Sequence, residues 1–79
     1  MKIRVRLFGT LPQRYPGYDP SQGLEVEISD GAKVKDLLAR LEIFASDGGL
    51  VVVDNLVVQH DDALKKGVSV RIFQSAFGG

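Results

Sequence analysis

Apolar and polar residues alternate along KIRVRLF (2–8), with Ile3, Val5 and Leu7 on one side and Lys2, Arg4, Arg6 and Phe8 on the other. That period of two marks a strand lying over a core. LEVEI (24–28) alternates again, with Leu24, Val26 and Ile28 facing inward. Glu25 and Glu27 then share the side of the first strand's basic residues, so antiparallel pairing sets opposite charges across from one another. Between the two strands, Gly9 to Gly23 holds all three prolines (Pro12, Pro16, Pro20) with Gly17 and Asp19, a turn-rich connection. From Lys33 the period changes. Val34, Leu37, Leu38 and Leu41 fall at i, i+3, i+4 and i+7, which predicts a helix of about ten residues. Asp36 suits its first turn, but Lys33 stands where a Ser, Thr or Asp cap is expected, so the start is weakly specified.

FASDGG (44–49) ends that helix in turn residues. LVVVDNLVVQ (50–59) is two β-branched runs around Asp54 and Asn55, a pair that tolerates positive φ and closes a tight hairpin. Both runs are too continuous to assign an inward face. After HDDALKKG, where Leu64 is expected to plug the core, VSVRIF (68–73) alternates with Val68, Val70 and Ile72 inward. The order strand, strand, helix, strand, strand, strand predicts an α+β fold, one helix packed on a mixed sheet of about five strands. With the first and last strands side by side in parallel, Arg4, Arg6, Phe8, Arg71 and Phe73 share the outer sheet face. Residues 1–73 form the expected folded domain, and 74–79 a flexible tail without periodicity.

The 79 residues are enough for one domain, and folding at this size buries only roughly 60% of the surface the unfolded chain exposes. With no cysteine there is no disulfide framework, thiolate nucleophile or thiolate metal site, which fits a reducing cytoplasm. The apolar runs fall far short of the roughly 20 residues that span a bilayer, so a soluble, unexported, cytoplasmic domain is expected, with no membrane partner. Ten basic and ten acidic residues cancel, which argues against general nucleic-acid affinity. The distribution is uneven, however, since Lys2, Arg4, Arg6 and Arg14 all precede the first acid, Asp19, giving one part of the surface a positive character.

Catalytic chemistry is poorly represented. His60, the single histidine, has no second ligand or nucleophile at a recognisable spacing. The adjacent pair Asp61 and Asp62 reads as the start of a turn. No serine occupies a nucleophile elbow, and no glycine-rich phosphate loop follows a strand. An enzyme in its own right is not expected, nor a bound cofactor or metal.

The chain ends in AFGG. Two terminal glycines contribute almost nothing to a fold, and at a background near 7% such a pair arises by chance roughly 0.5% of the time. The carboxylate of Gly79 is one reactive group that needs no catalytic neighbours. Ionised at pH 7, it can attack the α-phosphate of an ATP held by a partner enzyme, and the resulting acyl-adenylate can accept sulfur or an amine. Glycine lets such a tail thread a narrow channel without a side chain to clash.

Together, RVRLFGTL, GAKVKDLLARL, VVVDNLVV, LKKGVSVRIF and the terminal GG resemble the sulfur-carrier family that includes the molybdopterin synthase small subunit and the thiamine-biosynthesis sulfur carrier. The resemblance covers essentially the whole chain. It implies a ubiquitin-like β-grasp fold, adenylation of Gly79 by an E1-like enzyme using ATP, and conversion to a thiocarboxylate that donates sulfur to a cofactor precursor. It also implies a sulfurtransferase or cysteine desulfurase as sulfur donor and a synthase large subunit as acceptor. Gly78 is the second matching tail residue. Phe77 departs from the family's small residue at that point and is read either as an anchor for a partner's apolar pocket or as folding back onto the domain. IFQ (72–74) looks like the thiamine carriers, while the length and the proline-rich connection look like the molybdopterin subunit.

Phe8 and Phe73, flanked by Arg4, Arg6 and Arg71, have interface composition and lie on strands leading to the tail. They are the expected docking surface. Two other readings share these residues: a protein modifier conjugated through Gly79, and a binding module for nucleic acid or protein that uses the Arg/Phe face without the tail.

Overall fold

The computed structural model describes residues 1–43 and 48–74. Among these, five strands and one α-helix follow the expected order: β1 (Lys2–Leu7), β2 (Leu24–Glu27), α1 (Val34–Arg40), β3 (Gly48–Val53), β4 (Leu56–Val57) and β5 (Ser69–Gln74). They form one mixed sheet in the order β2-β1-β5-β3-β4, with β1 and β5 parallel and the other neighbours antiparallel. This is the β-grasp arrangement that the resemblance implies. Ile3, Val5, Leu7, Val70 and Ile72 line the inner face of the central strands and pack with Val34, Leu37, Leu38 and Leu64 in one core. Ile3, Val5, Val34, Leu37, Val70 and Ile72 are fully excluded from solvent, so the alternation of the strands and the stripe of the helix meet as predicted.

The hairpin forms at Asp54 and Asn55, both with positive φ (47° and 71°), the left-handed pair of a type I′ turn. Its face assignment, undecided in the sequence, comes from the partner strand. Val51 and Val53 stand opposite Ile72 and Val70 on the inner side, while Leu50 and Val52 stand opposite Phe73 and Arg71 on the outer side.

The helix is shorter than expected and ends before FASDGG. Its first turn is secured without a conventional cap residue: the Asp36 carboxylate accepts the Lys33 N–H at 2.8 Å. The Val34 and Lys35 N–H groups donate to the carbonyls of Asp62 and His60, each at 2.9 Å, so a distant turn satisfies donors that a cap normally serves. At the other end Glu42 adopts φ 59°. The Ile43 N–H bonds to Leu38 O at 2.9 Å and the Glu42 N–H to Ala39 O at 3.1 Å, a Schellman closure with glutamate at the position that favours glycine. Residues 44–47, which carry most of the expected stop signal, lie outside the described residues.

The connection from Gly9 to Gly23 is more structured than its prolines suggest. A one-turn 3-10 helix, Leu11–Arg14, drops Leu11 into the core at 1% exposure. The Tyr15 hydroxyl donates to Leu41 O at the end of α1. Burial pushes this phenol above its ordinary value, opposed by the Arg14 guanidinium and reinforced by the Glu42 carboxylate. The Tyr18 hydroxyl accepts the Leu7 N–H at 2.9 Å, continuing the β1 ladder beyond Leu24, the last β2 partner. Gly23, at φ 71°, passes so close to β1 that an added Cβ would sit 2.5 Å from Val5 O.

Candidate functional site

The outer sheet face assembles the expected residues. Parallel pairing puts Arg4 opposite Ser69 and Arg6 opposite Arg71, and one step further the rings of Phe8 and Phe73 stack with centroids 4.6 Å apart and planes 12° from parallel. Phe8 retains 37% exposure and Phe73 is half-buried. Register adds members that the sequence reading did not assign. Leu50 stands beside Phe73, Val52 beside Arg71, and Val57 beside Val52. Leu50 and Val57 are exposed, so the phenyl stack continues into an apolar strip running toward the β4 edge. The continuous apolar run LVVV offered no alternation to read, and its face required the β5 register.

The arginines fall into two groups. Lys2 and Arg4 share the Glu25 carboxylate, each at 3.7 Å, so the cross-strand neutralisation expected from the hairpin occurs at this end. Arg4 Nη1 also donates to Gln22 O at 2.7 Å. Arg6 and Arg71 are held by neutral acceptors instead: Arg6 Nη2 donates to Ser21 O at 3.3 Å and Arg71 Nη2 to Asn55 Oδ1 at 2.8 Å. Among the described residues neither has a carboxylate within salt-bridge distance. The loop that presents the carbonyls of Ser21 and Gln22 is shaped by Asp19, whose Oδ1 accepts both the Ser21 hydroxyl at 2.7 Å and the Ser21 N–H at 2.9 Å. The hydroxyl bond, then the amide bond, hold the Asp19 carboxyl below its usual range.

The root of the tail is fastened beside this face. β5 runs through Gln74, one residue past the boundary expected at 73. The Gln74 Oε1 accepts the Thr10 N–H at 2.8 Å, clasping the end of β5 to the turn that follows β1. Gly9 permits this with φ 73°, and a Cβ there would meet Gln74 Cβ at 2.8 Å. Phe77, Gly78 and Gly79 lie outside the described residues. His60, Asp61 and Asp62 sit exposed at a turn, where Asp62 Oδ2 accepts the Gln59 N–H at 2.7 Å, a structural role for that carboxylate. No helix among the described residues is long and apolar enough to cross a membrane.

A five-stranded β-grasp sheet with a gripped tail root and an open aromatic face defines a ubiquitin-like protein. The chain matches the ThiS family over residues 5–79, through the final glycine. It belongs to that family of ubiquitin-like sulfur carriers. Its fold is similar to that of a Pyrococcus furiosus protein assigned as molybdopterin converting factor subunit 1, with 22% identity, TM-score 0.75, and coverage of 96% of this chain and 99% of that one. It is similar to the Haloferax volcanii HVO 2177 protein at 22% identity and TM-score 0.75, covering 100% and 87% respectively. SAMP1 from Haloferax volcanii aligns over 100% of both chains at 17% identity and TM-score 0.68. No curated protein matches the chain. Family and fold define a small carrier or modifier of the ubiquitin-like class, a type that is generally non-catalytic.

Proposed function

We propose that the chain is a sulfur carrier that works through the carboxylate of Gly79 on behalf of partner enzymes. The observation that supports this most directly is the family match extending to the terminal Gly78 and Gly79. An E1-like enzyme holds ATP, and a Gly79 carboxylate oxygen attacks the α-phosphorus. A P–O bond to the β-phosphate breaks, pyrophosphate leaves, and an acyl-adenylate forms. A thiol cleaves the persulfide of a sulfurtransferase or cysteine desulfurase, becoming part of a disulfide, and the hydrosulfide released adds to the carbonyl carbon. AMP leaves with the adenylate oxygen, and a proton is released as the thiocarboxylate forms. This chain's part is to bind by its outer face and to hold the tail root steady through the Gln74 to Thr10 clasp, so that Gly79 enters the partner's site from a set origin. The chain itself binds no ATP. The thiocarboxylate donates its sulfur to a precursor of the molybdopterin or thiamine type, held by an acceptor synthase, in the cytoplasm.

Incubation with the adenylating enzyme from the same genome, ATP and a sulfur donor is expected to raise the intact mass by one sulfur-for-oxygen exchange, confined to the peptide ending in Gly79. The modifier route shares the adenylate but ends in an amide to a lysine, so conjugates of higher mass without the thiocarboxylate product favour it. Absence of any ATP-dependent change at Gly79 overturns both.

A further inference from the structure

Arg6 and Arg71 are directly opposite one another on adjacent strands, a like-charge placement that costs stability unless an anion comes between them. Each guanidinium carries five N–H donors, and among the described residues each has a hydrogen bond to a neutral acceptor. With Asn55, Ser69 and Asp54 they line an open recess of about 230 Å³ on the outer sheet face. Asn55 sits on the I′ turn and Asp54 Oδ1 accepts the Ser69 N–H at 3.0 Å, so the wall is fixed by the hairpin and the arginines are partly oriented before any ligand arrives.

We propose that this recess is a carboxylate-recognition site, and that it receives an Asp or Glu side chain from the enzyme that activates the tail. The proposal rests on the carrier reading and adds the chemistry of the contact. Charge selects the occupant. Two guanidiniums and the Asp54 carboxylate leave a local excess of one positive charge, which suits a monoanionic carboxylate better than a phosphate dianion. Guanidinium N–H donors match carboxylate oxygens, and such charge-assisted bonds are the strong ones. Burying the recess under a partner that lacks an acid there leaves two desolvated cations unpaired, which rejects wrong partners. The phenyl stack and the exposed Leu50 and Val57 ask the same partner for an apolar contact alongside the acid. A nucleic acid fits less well, because Phe8 and Phe73 each spend one ring face on the other, and because the chain as a whole is neutral.

The test is pyrophosphate exchange by the adenylating enzyme of the same genome, with the full-length chain as the varied substrate. In the Arg6→Glu/Arg71→Glu double variant, KM for the chain is expected to rise by at least about tenfold with kcat unchanged. The Arg6→Gln/Arg71→Gln variant retains the shape of the face and is expected to show an intermediate KM with a shallower salt dependence than the native chain. Circular dichroism of both variants checks the fold, and the glutamine pair carries the test where the glutamate pair fails to fold. If the native chain supports exchange and neither variant moves KM by as much as twofold, the recess is not the contact while the carrier reading stands. If the native chain supports no exchange at all, the carrier reading fails and takes this proposal with it. Binding of a single-stranded thymidine oligonucleotide that is lost in the glutamate variant, with exchange unaffected, overturns the proposal in favour of nucleic acid.

Discussion

The two faces of the sheet are built from the same strands and differ in what covers them. On the inner side Ile3, Val5, Val70 and Ile72 have no measurable exposure, with α1 across them and the 3-10 connection closing one end through Leu11 and Tyr15. On the outer side the residues one position along, Arg4, Arg6, Phe8, Arg71 and Phe73, have no helix across them among the described residues. A residue's neighbour in sequence thus serves a different purpose from its own. The inner set supplies folding free energy, whereas the outer set leaves apolar and cationic groups exposed at some cost to the isolated domain.

That contrast can be broken at either face. The largest effect is expected for Ile72→Ala, which removes buried methylenes at the centre of the sheet and should destabilise by about 2–5 kcal/mol, read as a lower urea midpoint. A domain this small has little reserve, so much of the population unfolds. One residue along, Phe73→Asp should abolish activation by the adenylating enzyme while costing the fold only about 1 kcal/mol for the lost ring stack. Unimpaired adenylation of that variant removes the outer face from the account of docking.

Tyr15 tests the closure of the inner side. Its folded-state pKa is raised above 10.0 by burial, so the neutral phenol is the form the fold prefers. Its contribution is complete below the unfolded value and is lost as pH rises through the folded one. Thermal stability is therefore expected to fall above about pH 10. In Tyr15→Phe that part of the decline disappears, at the expense of about 1 kcal/mol at neutral pH for the hydrogen bond to Leu41 O. The difference between the two proteins is the measurement. The smallest effect is expected at Glu42, where glycine at φ 59° relieves a left-handed side chain. Glu42→Gly should stabilise by up to about 1 kcal/mol, seen as a small rise in melting temperature. Activation should be unchanged.

Local pattern made much of the fold legible. The alternations at 2–8 and 68–73, the stripe from Val34 and the Asp54–Asn55 turn each state their element in a few neighbouring residues, because strand and helix periodicity and positive φ are local properties. The shared outer-face position of Phe8, Phe73, Arg4, Arg6 and Arg71 was legible by parity for the same reason. Less was readable where a partner distant in sequence supplies the stabilisation. The start of α1 is satisfied by carbonyls of the 60–62 turn, the 3-10 helix depends on a pocket under α1, and the end of α1 relies on a glutamate in a conformation no propensity favours.

Sequence alone determined that this chain is a two-layer α+β domain with a cationic, aromatic strand face and two glycines as its last residues, since these follow from the order of residues along one strand or at one end. Tertiary structure decided which arginine of the outer face meets a carboxylate among the described residues. Arg4 meets Glu25 across the antiparallel pair, while Arg6 meets Arg71 across the parallel one. It also placed Leu50 and Val57 beside the phenyl stack and tied Gln74 to Thr10. The physical reason is strand register. Which side chain stands beside which is set by pairings between residues as many as 65 positions apart, as with Arg6 and Arg71, and no local periodicity encodes them.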